Sequence, residues 1–119
     1  MKKPFVFIVE DDPKLNEIIS ITLQEDFELE ACMDGDDALK RIREIVPDLV
    51  VLDLNLPGTS GTNLLTFIRA DERLLKTRVI LATADERQAE TLTDEADIIL
   101  LKPVSPSQLK DMALRMSPS

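Results

Sequence analysis

Short aliphatic runs alternate with stretches of helical periodicity along this 119-residue chain. FVFIV at 5 to 9 is too continuous for a strand with one wet face, and reads as a strand buried on both sides. Asp12 and Pro13 follow as N-cap and first helical residue, and Leu15, Ile18, Ile19, Thr22 and Leu23 recur on one helical face. FELEA at 27 to 31 alternates Phe27, Leu29 and Ala31 inward with Glu28 and Glu30 outward, the signature of an edge strand with one exposed face. A turn at Asp34-Gly35 opens a second helix, with Ala38, Leu39, Ile42, Ile45 and Val46 on its apolar side. LVVLD at 49 to 53 is a third strand, and Pro57-Gly58 and Gly61 lead to a third helix facing inward through Leu64, Leu65 and Ile68. VILA at 79 to 82 is a fourth strand. Residues 85 to 95 predict a helix with only Ala89 and Leu92 to bury. IILL at 98 to 101 is the fifth strand. Ser105-Pro106-Ser107-Gln108 is a capping box that starts a short last helix carrying Leu109, Met112, Ala113 and Met116.

Five strands alternating with five helices imply βαβ crossovers, so the fold class is α/β, a parallel sheet with helices on both faces. The length suits one domain covering residues 1–119, with 116–119 as the start of a linker or a frayed tail. Apolar residues make up 44% of the chain, yet there are four Phe and no Trp or Tyr, so the core is aliphatic and base stacking has no platform. The net charge of −9 repels phosphate backbones, which argues against direct nucleic-acid binding and favours cations or basic surfaces. Cys32 is the only cysteine, which excludes an internal disulfide and a Cys-rich metal cage. No secretory signal or membrane-spanning run is present, and the expected location is cytoplasmic. With no histidine, triad catalysis and His-ligated metals are excluded, leaving carboxylate, lysine and hydroxyl chemistry.

Ligands of an open parallel sheet sit beyond the carboxyl ends of its strands, so the strand-end residues matter most. Strand one ends in Glu10-Asp11-Asp12, strand three in Asp53, strand four in Thr83 and strand five before Lys102. Singly, each has a plain role. Asp12 beside Pro13 is a helix cap, Glu10 and Asp11 are caps or solvated charges, Thr83 is a strand-end hydroxyl and Lys102 a solvated lysine. Together they differ. Carboxylates crowded on one rim repel unless something positive sits between them, and the candidates are Lys102 and a hard divalent cation. Mg²⁺ takes a few carboxylate oxygens, keeps several waters and shares phosphate oxygens. A carboxylate beside Mg²⁺, an ammonium and a hydroxyl can accept a phosphoryl group.

FIVEDDP, DLVVLDLNLPGTSG, VILATA and LLKP, in that order and on those strand ends, resemble a receiver domain of a bacterial two-component response regulator over essentially the whole chain. The resemblance implies a flavodoxin-like, doubly wound (βα)5 fold with strand order 2-1-3-4-5. It implies phosphorelay signalling, with Asp53 as phosphoacceptor. Glu10, Asp11, Asp53 and the backbone carbonyl of Asn55 would hold Mg²⁺, or Mn²⁺ as a substitute, Asp11 directly and Glu10 mainly through water. Thr83 would be the switch hydroxyl and Lys102 the phosphate-pairing lysine, followed by a cis bond to Pro103. The phosphoryl donor would be a sensor histidine kinase or histidine phosphotransfer protein. A fused output domain, a downstream protein or a homodimer would read the signal. The domain would catalyse only its own phosphorylation and dephosphorylation, with Asn55 and Asp85 controlling the attacking water.

Two positions depart from the pattern. An aromatic residue is expected three positions before Lys102, where the chain has Ile99, read as a buried isoleucine. Thr83 and Lys102 are 19 positions apart, about one helical turn short, and the deficit falls in the fourth helix. These departures imply signalling through an altered version of the surface formed by helix four, strand five and helix five, or through another surface. They also keep an alternative open: a pseudo-receiver, an interaction module not regulated by phosphorylation. A haloacid dehalogenase type phosphatase fits less well, because its D-x-D motif ends the first strand, whereas Asp53-Leu54-Asn55 ends the third. A flavodoxin would need a hydroxyl-rich phosphate loop and flanking aromatics.

Overall fold

The aliphatic runs pair as expected in the computed structural model, which describes residues 2–118. The strands are β1 (Phe5–Val9), β2 (Glu28–Cys32), β3 (Leu49–Asp53), β4 (Arg78–Thr83) and β5 (Ile98–Leu101). All neighbours are parallel, in the order β2-β1-β3-β4-β5. Alternate side chains of each strand enter opposite layers. Phe7, Val9, Val50, Leu52, Val79 and Leu81 face one core, and Val6, Ile8, Leu49, Val51, Ile80 and Leu100 the other.

The helices are α1 (Pro13–Leu23), α2 (Gly35–Ile42), α3 (Gly61–Ala70), α4 (Glu86–Glu90) and α5 (Pro106–Met116). A 3₁₀ turn spans Glu72–Leu74. The first core is closed by α2 and α3 with Leu92, the second by α1 and α5. Each α-helix starts on a side chain that accepts amide hydrogens: Asp12, Asp34, Ser60, Asp85 and Ser105. Only half of the expected capping box at α5 is formed, Ser105 Oγ accepting from Gln108 N at 3.4 Å.

Several expected positions are corrected. In α1, Ile18 is 45% exposed and the core stripe runs Asn16, Ile19, Leu23, because the helix rests on a narrow strip of the sheet. In β2 the inward position of Ala31 is exposed, whereas Glu30 turns under α2 and pairs with Arg41. Helices α1 and α2 each touch the edge strand, yet none of its five residues is fully buried. Helix α2 ends at Ile42, so Ile45 reaches the core from the following turn and Val46 stays 58% exposed. Arg73 donates to the carbonyls of Ile42 and Ile45, satisfying the end of α2 in place of another turn. The helix expected over 85 to 95 has only five helical residues, since Ala89 and Leu92 offer too little apolar surface to extend it. Ile99 is half-buried, beside Ala89, Thr93 and Leu101 in a shallow groove that the short α4 leaves uncovered. Of the tail at 116–119, Met116 is helical and Ser117 is the C-cap of α5; Ser119 lies outside the described residues. Among the described residues no helix is long and apolar enough to cross a membrane.

Candidate functional site

The carboxyl ends of β1, β3, β4 and β5 bring Glu10, Asp11, Asp53, Thr83 and Lys102 to one rim. Asp53 is the last residue of β3, whose five positions are all buried, and is itself 4% exposed. Burying a side chain of leucine size contributes about 1.5–3 kcal/mol. A carboxylate gives that up and adds a desolvation cost. Its Oδ1 accepts from Asn55 N at 3.2 Å. The chain then turns through Gly58, at φ +77°, a conformation that suits glycine. Gly61 returns so close that a Cβ there would collide with the carbonyl oxygen of Asp53, and Gly61 N donates to Leu54 O at 3.0 Å. Asp36 of α2 holds the same loop by accepting from Thr59 N and Oγ1 at 2.9 and 2.7 Å.

Glu10 follows β1 and is 1% exposed, whereas Asp11 faces solvent. One carboxylate oxygen from each of Glu10, Asp11 and Asp53 lies within 4.8 Å of the others. Lys102 Nζ stands 2.8 Å from Glu10 Oε1 and 3.3 Å from Asp53 Oδ2. Glu10 Oε2 accepts from Asp12 N at 3.1 Å, but Oε1 is buried without an aligned hydrogen-bond donor. Burial pushes the Glu10 carboxyl up to about 7 from its ordinary 4.5, against the opposing pull of Lys102 and the Asp12 amide, and the charge of Asp53 adds to the rise. Burial draws Lys102 down, but Glu10 and then Asp53 outweigh it, and the net shift is upward.

Thr83 is fully buried and its Oγ1 accepts from Asp85 N at 3.1 Å. Asp85 Oδ1 accepts from Arg87 N and Gln88 N as the cap of α4, and Oδ2 takes no part in the cap. The Asn55 side chain is exposed beside the acidic rim. The Lys102-Pro103 bond is cis.

The donor set suits a hard, oxygen-seeking cation: three carboxylates converge, two of them buried, with a single ammonium between the buried pair. Lys102 supplies part of the missing positive charge. Asn16 completes the rim, and the apolar pattern gave no hint of it. It is 8% exposed, and its Nδ2 donates to Glu10 O at 2.9 Å and to Cys32 O at 3.1 Å. The one available signal is that a polar residue occupies the position three before Ile19 and seven before Leu23 on the buried stripe.

Comparison with known proteins agrees with this geometry. The family described as response regulator receiver domain matches residues 6–114. The DNA-binding response regulator MtrA of Mycolicibacterium smegmatis is 36% identical over 108 residues, covering 87% of this chain and 46% of that protein. The phosphate regulon transcriptional regulatory protein PhoB of Rhizobium meliloti is 34% identical over 110 residues, covering 89% and 48%. The chain thus spans about half the length of these relatives. Among solved structures, the response regulator TrrA of Thermotoga maritima in complex with Mg²⁺-BeF superimposes with a TM-score of 0.84. It is 30% identical, with 98% of this chain and 99% of that chain covered.

Proposed function

The chain belongs to the response regulator receiver domain family, and on that premise we propose that it is a phosphorylation-controlled switch whose acceptor is Asp53. The observation that carries this reading is the convergence of Glu10, Asp11 and Asp53 within 4.8 Å, with Lys102 Nζ 3.3 Å from Asp53. A pseudo-receiver has no physical need to crowd carboxylates in this way.

On this reading the donor is a phosphohistidine on a sensor kinase or phosphotransfer protein, which fits a chain that holds no histidine. An Asp53 carboxylate oxygen attacks phosphorus as the bond to the donor nitrogen breaks. Glu10, Asp11, Asp53 and the carbonyl of Asn55 would hold Mg²⁺, or Mn²⁺ as a substitute, and that ion would supply positive charge to the phosphoryl oxygens. Lys102 shifts from the carboxylates toward the transferred group and balances its charge. Thr83 Oγ1 releases Asp85 N and donates to a phosphoryl oxygen, which carries the change to the cap of α4. Water later hydrolyses the acyl phosphate, with access controlled at Asn55 and Asp85. The domain turns over only its own phosphoryl group, in the cytoplasm. The five-residue α4 and Ile99 make the α4-β5-α5 surface an altered output face, read by a fused output domain, a downstream protein or a second copy.

Incubation with Mg²⁺ and acetyl phosphate or phosphoramidate, followed by intact-mass analysis, tests the reading. One labile phosphoryl group, lost in Asp53→Asn, supports the switch. No gain, with no Mg²⁺ binding, sinks it. Turnover of many phosphate esters per molecule makes the chain a phosphatase instead.

A further inference from the structure

We infer that Asn16 is a positioning residue for the metal-binding carboxylates, acting through the backbone of Glu10. The inference rests on the Mg²⁺-dependent acceptor reading above. Asparagine is a poor choice inside a helix and a costly one on its buried face. Yet Asn16 is one turn into α1 on the stripe it shares with Ile19 and Leu23, where an apolar residue would pack without polar cost.

Its carboxamide explains the choice. The β1-β2 ladder ends with Val9 opposite Cys32, and Glu10 N adds a last bond to Cys32 O at 3.1 Å. Beyond that point the two strands part, so the carbonyl of Glu10 loses its place in the sheet. Asn16 Nδ2 has two hydrogens and spends both here, on Glu10 O at 2.9 Å and on Cys32 O at 3.1 Å. The peptide plane after Glu10 is thereby fixed from below. That plane sets the directions in which Glu10 and Asp11, on either side of it, project toward Asp53. The helix is braced in turn: Asn16 N donates to Asp12 O at 2.8 Å and Ser20 Oγ to Asn16 O at 2.9 Å. Asn16 touches no carboxylate itself. It fixes the backbone from which two of the three ligands project.

The test is Mg²⁺ affinity by calorimetry on the 119-residue chain, with Mn²⁺ by electron spin resonance as a second probe. Partners that orient metal ligands typically cost about 10–100-fold in affinity when removed. Asn16→Leu, close in size and suited to the stripe, is therefore expected to weaken Mg²⁺ by about tenfold or more. Asn16→Ala serves if the leucine variant does not fold. Phosphorylation by acetyl phosphate should return to within about twofold of wild type once Mg²⁺ is saturating, because Asp53, Thr83 and Lys102 are untouched. Ile19→Ala, which loosens the same helix without reaching Glu10, should leave the Mg²⁺ constant within about twofold. A further readout needs no substitution: the Asn16 side-chain amide resonances should shift with Mg²⁺ on the same binding curve as the Asp53 amide. Unchanged Mg²⁺ affinity in both Asn16 variants, or equal weakening in Ile19→Ala, overturns the inference while leaving Asp53 as acceptor. A wild-type chain that binds neither Mg²⁺ nor Mn²⁺ overturns both.

Discussion

Lys102 Nζ stands 2.8 Å from Glu10 Oε1, a buried oxygen that accepts no hydrogen bond from any other group among the described residues. Lys102 reaches Asp53 as well, at 3.3 Å, so one ammonium serves two buried carboxylates. The rim is thus short of positive charge in the metal-free protein. That shortage governs its stability, its pH response and its readiness for a cation.

The pH response follows from Glu10, whose carboxyl is raised by burial from 4.5 to about 7. A raised carboxyl favours folding when protonated, so its contribution is fully present below about pH 4.5 and is lost as pH rises through about 7. In metal-free protein, the unfolding free energy of wild type relative to Glu10→Gln should therefore fall across that window. Urea titrations at several pH values measure it, and a flat difference would show that Glu10 titrates as an ordinary carboxylate. Mg²⁺ affinity should weaken as pH falls below about 7, because a proton then competes for the same oxygen.

Asp53→Asn removes one charge from the crowded rim and leaves Lys102 to Glu10. We expect the metal-free variant to gain about 1 kcal/mol, a trade between stability and function, or about 3–6 °C in melting temperature. Added Mg²⁺ should stabilise the variant less than wild type, which a thermal scan with and without the ion reads directly.

Lys102→Ala should slow phosphoryl acceptance by about 10²-fold or more, since one preorganised charge at a transferring group contributes on that scale. Mass-resolved time courses with acetyl phosphate give the rate. The metal-free protein should also lose stability, because two buried carboxylates are left without their shared cation.

Gly61→Ala places a methyl group against the carbonyl of Asp53 and the Cα of Leu54, both backbone, so the start of α3 must move. A cost of about 1–3 kcal/mol is expected from such overpacking. The displaced end of β3 should lower phosphorylation at saturating Mg²⁺ as well. An unaltered rate with only a stability loss would mean that the strand end does not transmit the shift.

Asp85→Ala should remove about 1 kcal/mol of capping from α4. The effect should be local, because the helix has only five residues and buries mainly Ala89. Faster amide exchange at Arg87 and Gln88, with little change in global unfolding, is the expected pattern, since both amides donate to Asp85.

The arrangement of strands and helices was legible because a sheet buried on both faces needs unbroken aliphatic runs, and FVFIV, LVVLD and IILL have few other readings. The strand-end residues were legible for a related reason: a charge that stops such a run without a helix to cap, as at Asp53, calls for an explanation. The periodicity misplaced Ile18, Ala31 and Val46, because a spacing names a face of a helix or strand and not how much of it the neighbours cover. Tertiary structure alone decided that Asn16 and not Ile18 enters the core, that Lys102 lies between Glu10 and Asp53, and that Glu10 titrates near neutrality. Each of these depends on segments far apart in the chain meeting at one rim, where distance and loss of water set the energies. The sequence determined which chemical groups are available, and the fold determined how close they stand and how dry they are.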